Sequence, residues 1–211
     1  MADCPLCGHA SCFYHQDKQR VYRRCEQCSL VFVPQHYHLL AEQEKAVYDL
    51  HENKPDDPAY RQFLARLFDS MVQCLPVSAR GLDFGCGAGP ALQQMFAEQG
   101  FDVALYDIYY HPHRTVLDEH YDFITLTEVI EHLSEPDKVL QQLWQQLNPH
   151  GLLGIMTKLV LSPDAFSRWH YKNDPTHVCF YSEQTLDFLA MRLNAHWRAV
   201  ADDAFIFFKS P

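Results

Sequence analysis

The chain has 211 residues, a length that accommodates one full domain and a small appendage. Its hydrophobic content of 47% suffices for a core, yet no apolar run approaches the roughly 20 residues needed to span a bilayer. The formal net charge of −10 argues against a nucleic-acid partner, because phosphate contacts need clustered lysines and arginines. The N-terminus lacks the basic start and apolar run of a signal peptide, so we expect a cytoplasmic protein with no membrane partner.

Two C-x-x-C pairs lie near the N-terminus, with 17 residues between them. This spacing is typical of a zinc ribbon, in which four thiolates close a tetrahedral site around a short β-hairpin. A segment of this size, 1–33, buries too little apolar surface to fold without its metal. We therefore predict a structural Zn²⁺ with four ligands: Cys4, Cys7, Cys25 and Cys28. The alternatives are a redox pair or idle reduced thiols, and substitute ligands are present in Cys12, His9 and His15.

Residues 34–75 are predicted as a connector with a helical lid. A short helical run includes Ala41 and Tyr48 and leads into a segment rich in hydrogen-bonding side chains, among them His51 and Asn53. This part is either a polar linker or a lid over a ligand cleft, and the two interpretations stand as equals.

A clear amphipathic helix is predicted over residues 57–75. Asp57 can cap its first turn, and Pro58 suits its first position, where a missing N–H has no consequence. Apolar side chains then recur at i, i+3, i+4 and i+7, which is the spacing of a helix face that packs on a core. We expect this face to pack on a sheet.

A glycine-rich turn follows the next apolar run. Residues 82–90 read LDFGCGAGP, with glycine at alternate positions and proline where a helix begins. Glycine is used where the backbone needs unusual dihedral angles or where a ligand must approach it closely. A second apolar run, 101–106, ends in Asp107, and a carboxylate about 20 residues beyond such glycines suits the two hydroxyls of a ribose.

Strand and helix patterns alternate from residue 80 to the end of the chain. This alternation predicts an α/β fold whose parallel sheet has helices on both faces and ends in an antiparallel pair. Only 14 residues separate Asp107 from Asp122, so a third strand in that interval is predicted to be a stub. The predicted strands are 80–84, 101–106, 122–126, 152–157, 196–200 and 204–208, and the main helices are 136–147 and 183–193.

Four motifs, in this order, resemble those of class I S-adenosylmethionine-dependent methyltransferases. They are Asp83–Gly89, Asp107, Tyr121–Leu133 and Leu147–Gly154. The resemblance covers residues 76–211 and implies a Rossmann-like methyltransferase sheet, mostly parallel with an antiparallel final strand. It also implies S-adenosyl-L-methionine as the cofactor, with a binding site formed by Asp83, Gly85, Cys86, Gly87, Asp107, Ile108, Thr127 and Glu128.

Within that implied site the residues have different roles. The resemblance implies that the backbone from Gly85 to Gly87 lies against the methionine part of the cofactor and that Asp107 holds the ribose. Thr127 and Glu128 are candidates for the amino group. The alternative for Glu128 and Glu131 is that they form a solvated helix start.

A polar and aromatic segment from Trp169 to Ser182 follows the strand predicted at 152–157, on the edge where open α/β sheets bind ligands. We expect it to form the methyl acceptor's side of the pocket. His177 is the candidate catalytic residue, as a general base oriented by Asp174 or Thr176. The alternative is that His177 is only part of the pocket wall.

These observations predict an S-adenosylmethionine-dependent methyltransferase that acts on a small molecule or metabolic intermediate by in-line methyl transfer. One alternative is an RNA or protein methyltransferase that uses the zinc ribbon for recognition. Another is a non-catalytic regulatory protein that binds the cofactor.

Overall fold

The computed structural model describes residues 3–50 and 54–211. Their strands form two sheets, one of six strands and one of four. No helix in this part of the chain is long and apolar enough to cross a membrane. His51 and Asn53, which the sequence offers as polar residues of a lid, lie outside the described residues.

The strands of the larger sheet lie close to their predicted bounds, except that the strand predicted at 152–157 begins at Leu147. In chain order the strands are β1 (Ser11–Gln16), β2 (Val21–Cys25), β3 (Val31–Phe32), β4 (Arg80–Phe84), β5 (Asp102–Tyr106), β6 (Tyr121–Thr127), β7 (Leu147–Met156), β8 (Cys179–Phe180), β9 (Ala195–Ala201) and β10 (Ala204–Lys209).

The helices predicted at 57–75, 136–147 and 183–193 are present, whereas the helix Pro163–Arg168 was not predicted from the sequence. They are α1 (Ala41–Tyr48), α2 (Pro58–Val72), α3 (Ala91–Glu98), α4 (Pro136–Gln146), α5 (Pro163–Arg168) and α6 (Glu183–Leu193). Short 3₁₀ turns lie at Gln35–Tyr37, Arg114–Asp118, Ile130–His132 and His170–Asn173.

The larger sheet has the strand order β5-β4-β6-β7-β10-β9. Its first four strands are parallel, whereas β10 runs antiparallel to both of its neighbours. Side chains of β7 alternate between two cores: Leu153 and Ile155 join one with α4 and α6, and Leu152 and Met156 join the other with α2 and α3. The predicted α/β sheet, mostly parallel with helices on both faces, is confirmed.

The crossing from β5 to β6 is compressed. Between Asp107 and His120 the chain makes one isolated bridge, from Asp107 to His111, and one 3₁₀ turn. The stub predicted for a third strand amounts to no more than this bridge in the interval.

Helix α2 packs directly on the larger sheet. Asp57 accepts a hydrogen bond from the N–H of Ala59 at 2.8 Å, and Pro58 is the first helical residue, so the predicted cap is confirmed. The contact with β7 is close, because a Cβ added at Gly154 would lie 2.4 Å from Sδ of Met71. This contact fixes α2 against the middle of the sheet.

The smaller sheet has the order β1-β2-β3-β8, with every pairing antiparallel. Its first three strands belong to the N-terminal cysteine segment, but β8 comes from the segment that follows β7 of the larger sheet. The N–H of Val33 extends this pairing by donating to the carbonyl of Val178 at 2.8 Å. The two parts therefore share a sheet, and the boundaries predicted at residues 33 and 75 stay predictions.

Arg20 holds the two parts together. Its side chain is buried, and its guanidinium donates to the backbone carbonyls of Asp174 at 2.9 Å, Pro175 at 3.2 Å and His177 at 3.0 Å. It also donates to the carbonyl of Lys172. A single cation thus donates to four carbonyls of an irregular segment. Two of them accept a second bond: the carbonyl of Asp174 from the N–H of His177 at 3.3 Å, and that of Lys172 from the hydroxyl of Tyr22 at 3.3 Å.

We predict that Arg20→Ala destabilises the protein by roughly 2–4 kcal/mol, because it removes a buried guanidinium and the four hydrogen bonds that this group donates to backbone carbonyls. Urea unfolding measures this loss. Arg24→Ala is the matched control, since Arg24 lies exposed on the same hairpin and should change stability by no more than about 0.5 kcal/mol. Equal effects of the two substitutions would contradict the role given to Arg20.

Candidate active site and metal centre

The glycine turn after β4 is open on one side. Gly85 and Gly87 have φ values of +75° and +66°, a region that other residues adopt rarely. A Cβ at Gly85 would lie 2.5 Å from Cγ2 of Val129, so glycine is needed there for packing. A Cβ at Gly87 would meet no atom within 4 Å. Gly87 therefore borders open space, as a residue that cradles a ligand must.

Asp107 connects this turn to the segment after β5. One carboxylate oxygen accepts from the N–H of Gly87 at 3.0 Å, and the other accepts from Tyr109 at 2.8 Å and Tyr110 at 3.0 Å. Within the described part of the chain Oδ2 accepts only the bond from Gly87, which leaves it able to accept from a hydroxyl. The adjacent Ile108 is 66% exposed beside this carboxylate.

Asp83 and Cys86 lie deeper in the turn. The carboxylate of Asp83 is buried and accepts from the hydroxyl of Thr125 at 2.8 Å. Burial raises the pKa of Asp83 to about 6. Burial also raises the pKa of the Cys86 thiol, and the charges of Asp83 and Asp107 add to this shift. Asp83 consequently occupies a supporting position beneath the turn.

Thr127 ends β6, and Glu128 follows it with a φ of +54°, a strained value for a residue other than glycine. The Glu128 Oε2 atom accepts from the hydroxyl of Tyr171 at 3.3 Å, whereas Oε1 is buried with no hydrogen-bond partner in residues 3–50 and 54–211. Burial raises the pKa of Glu128, and the nearby Asp203 carboxylate adds to the shift. A cationic group of a ligand would compensate the buried Oε1 atom of Glu128.

Glu131 lies wholly buried in the 3₁₀ turn after β6, so the solvated helix start that the sequence allows is not its position. The hydroxyl of Tyr171 donates to its Oε1 atom. Burial raises the pKa of Glu131, and repulsion from Glu128 raises it further. One tyrosine hydroxyl is therefore placed between two carboxylates, although it has a single proton to donate.

His177 is buried at the centre of the Trp169–Ser182 segment. Its Nδ1 atom lies 2.7 Å from the carbonyl oxygen of Tyr171. A carbonyl only accepts, so Nδ1 carries the proton and the lone pair of the neutral ring is on Nε2. The Asp174 carboxylate is 3.9 Å from Nε2, and the hydroxyl of Thr176 donates to Asp174 at 2.5 Å.

The orienting group of His177 thus differs from the sequence expectation. The backbone carbonyl of Tyr171 orients the ring, whereas Asp174 and Thr176 hydrogen-bond to each other. The path of an irregular segment decides which carbonyl faces a ring, and side-chain identities do not reveal that path.

Helix α1 lies between the two halves of the site. The hydroxyl of Tyr109 donates to Glu44 at 2.5 Å, and that of Tyr110 donates to Asp49 at 2.7 Å. The ring of Tyr48 packs edge-on against His132, with the ring centres 5.4 Å apart. Helix α1 therefore links the segment after Asp107 to His132.

The four predicted zinc ligands come together in the N-terminal segment. The Sγ atoms of Cys4, Cys7, Cys25 and Cys28 all lie within 4.8 Å of one another, with Cys4–Cys28 at 3.5 Å and Cys7–Cys25 at 3.3 Å. Thiolates about 2.3 Å from a tetrahedral zinc are about 3.8 Å apart, so the arrangement fits that ion. Cys12, a substitute ligand in the sequence, is exposed and directs its thiol to the carbonyl of Arg24.

The order of the larger sheet, its glycine turn and the acid that closes its second strand define a Rossmann-like S-adenosylmethionine-dependent methyltransferase. A family model described as a methyltransferase domain matches residues 52–195. The chain belongs to that family.

Solved structures share this fold at low sequence identity. A 1,6-didemethyltoxoflavin-N1-methyltransferase from Burkholderia thailandensis, with bound S-adenosylhomocysteine, has a TM-score of 0.54 at 16% identity, over 94% of this chain and 99% of that chain. An S-adenosylmethionine-dependent methyltransferase from Methanosarcina mazei has a TM-score of 0.53 at 15% identity, over 68% and 98% of the two chains. CalO1, a methyltransferase in calicheamicin biosynthesis, has a TM-score of 0.51 at 15% identity, over 70% and 54%. No curated protein matches the chain in sequence.

We predict about one zinc per chain in protein purified without chelator, measured by elemental analysis. Cys25→Ser should release the zinc and increase hydrogen exchange in β1–β3. Because β8 pairs with β3, exchange should also rise around residues 174–180. Cys12→Ser is the control and should retain the metal. Protein without zinc but with a protected hairpin would contradict the prediction.

Proposed function

We propose that this protein transfers a methyl group from S-adenosylmethionine to a small molecule. The observation that carries the proposal is the common location of two groups of residues. The glycine turn follows β4, and the turn that holds Glu131 follows β6, its neighbour in the sheet. Both are at the carboxyl ends of parallel strands, where open α/β sheets bind ligands.

The cofactor's place is beside the glycine turn. The backbone at Gly85–Gly87 would contact its methionine part, and the Oδ2 atom of Asp107 would accept a ribose hydroxyl. The exposed side chain of Ile108 would cover an apolar face of the ligand. Thr127 and Glu128 would bind the ammonium group, whose charge would offset the unpartnered Oε1 of Glu128.

When bound, the cofactor supplies a methyl group already activated on a sulfonium sulfur. The protein's task is then to align the acceptor, exclude water and receive a proton if the acceptor is a hydroxyl. The Trp169–Ser182 segment, with Glu131 behind it, would form the acceptor side. Helix α1, which contacts both halves of the site, would act as the lid.

Several observations favour a small acceptor over a macromolecule. The net charge is −10, and the face of the zinc ribbon that contains Arg20 is covered by the chain's own residues 172–177. That face is consequently not available to grip RNA or protein. One similar structure contains 1,6-didemethyltoxoflavin as a bound ligand, which is a small molecule. The ribbon, with its zinc, would then have a structural role beneath the acceptor segment.

The proposal is tested by incubating purified protein with labelled S-adenosylmethionine and a cell extract that is then fractionated. We expect label in the small-molecule fraction. Label in RNA or protein would support the macromolecular alternative. Cofactor binding without any labelled product would support a non-catalytic binding protein.

For the cofactor we predict that Asp107→Asn weakens S-adenosylmethionine binding by about 1–3 kcal/mol, because a charge-assisted hydrogen bond is lost. Calorimetry measures the affinity. Asp102→Asn, at the other end of β5, is the matched control and should bind as the unmodified protein does. Gly87→Ala tests the cradle, since its Cβ would enter open space rather than the protein. Unchanged affinity in both Asp107→Asn and Gly87→Ala would place the cofactor elsewhere.

For the acceptor we predict that His177→Ala keeps cofactor affinity but lowers methyl transfer. A loss of kcat of roughly 100-fold or more would mean that His177 acts in the transfer step, whereas a raised KM alone would mean that it lines the pocket. His120→Ala, an exposed histidine, is the control. Normal kcat and KM in His177→Ala would make the segment merely structural.

A further inference from the structure

Three side chains beyond the cofactor residues converge at the end of β6. Glu131, His132 and His177 each present one ligand atom, and these atoms all lie within 4.8 Å of one another. Glu131 and His132 belong to the 3₁₀ turn after β6, whereas His177 comes from the segment held by Arg20. Two separate parts of the chain thus bring these groups together.

Both histidines are oriented in the same way. The Nδ1 atom of His132 lies 3.2 Å from the carbonyl oxygen of Thr176, and that of His177 lies 2.7 Å from the carbonyl oxygen of Tyr171. Each carbonyl fixes the proton on Nδ1 and the lone pair on Nε2. Metal-binding histidines are commonly held by this kind of hydrogen bond from the second ring nitrogen.

Glu131 completes the set with a carboxyl group. It is fully buried, and its Oε2 atom has no hydrogen-bond partner anywhere in the described part of the chain. A buried carboxylate oxygen without a partner is strongly unfavourable unless a cation or donor compensates it. No lysine or arginine donates to this atom in the described residues.

We propose that Glu131, His132 and His177 bind a divalent first-row transition cation. Two imidazoles and one carboxylate are a ligand set for such ions and leave coordination positions open. Ligands about 2.1 Å from the ion lie about 3–4.2 Å apart, a separation that these atoms reach with little movement. This inference rests on the proposed function: the open coordination positions select acceptors with an oxygen or nitrogen donor near the methylated atom.

The test uses the full chain with its ribbon loaded with zinc and titrated with Co²⁺ alone. Thiolates keep zinc in preference to cobalt, so Co²⁺ should reach only the second site. We expect about one bound Co²⁺ per chain, with visible d–d absorption and no thiolate-to-cobalt charge-transfer band. Failure to bind Co²⁺, or a charge-transfer band that accounts for all bound cobalt, overturns the proposal.

Variants assign the ligands. Glu131→Gln keeps the shape of the side chain, and His132→Ala removes only a half-buried ring; each should weaken Co²⁺ binding about tenfold or more. Glu135→Gln and His120→Ala, both exposed, should leave binding unchanged. Unchanged affinity in Glu131→Gln and His132→Ala overturns the proposal even if either variant is less stable.

This experiment is independent of methyl transfer. Co²⁺ binding that depends on Glu131 and His132, in a protein that transfers no methyl group, would leave the metal site standing and remove the proposed function. Methyl transfer by protein that binds no Co²⁺ would leave the proposed function standing and remove the metal site.

Discussion

Four backbone carbonyls of one irregular segment point at the same guanidinium, that of Arg20. The segment has no strand partner over residues 172–177, so this cation replaces the ladder that would otherwise hold it. Arg20 in turn begins the second half of a hairpin that is closed by four cysteines. The position of His177 therefore depends on a cysteine cluster far away in the sequence.

The carboxylates at the end of β6 impose a second constraint. Glu128 and Glu131 share the hydroxyl of Tyr171, and each retains a buried oxygen without a partner in residues 3–50 and 54–211. Burial raises the pKa of both groups, which means that their surroundings stabilise negative charge poorly. Such a site favours cations, and the ammonium group of the cofactor and a divalent metal ion are two that the geometry suits.

The sequence predicts most of the scaffold, because strands and helices have periods that single residues reveal. Strand β4 has the predicted bounds of 80–84, and α6 those of 183–193. The start of β7 was predicted at residue 152 but lies at Leu147, because a proline and a glycine among its first residues obscure the strand pattern. The roles of Asp107, Glu128 and His177 remain predictions. Arg20 and β8 were not predictable, since a guanidinium that binds backbone carbonyls and a two-residue strand have no side-chain pattern.

The pairing of β3 with β8 also has a consequence for the newly made chain. Phe32 precedes Cys179 by 147 positions, and β3 pairs with both β2 and β8. At synthesis rates of about 5–20 residues per second, β3 is translated roughly 7–30 seconds before its outer partner. During that interval the apolar edge formed by Val31 and Phe32 is an unpaired strand, open to pairing with other chains. A ribosome that stalls before residue 179 therefore leaves the N-terminal segment with all four of its cysteines but with an unpaired strand edge that can associate with other chains.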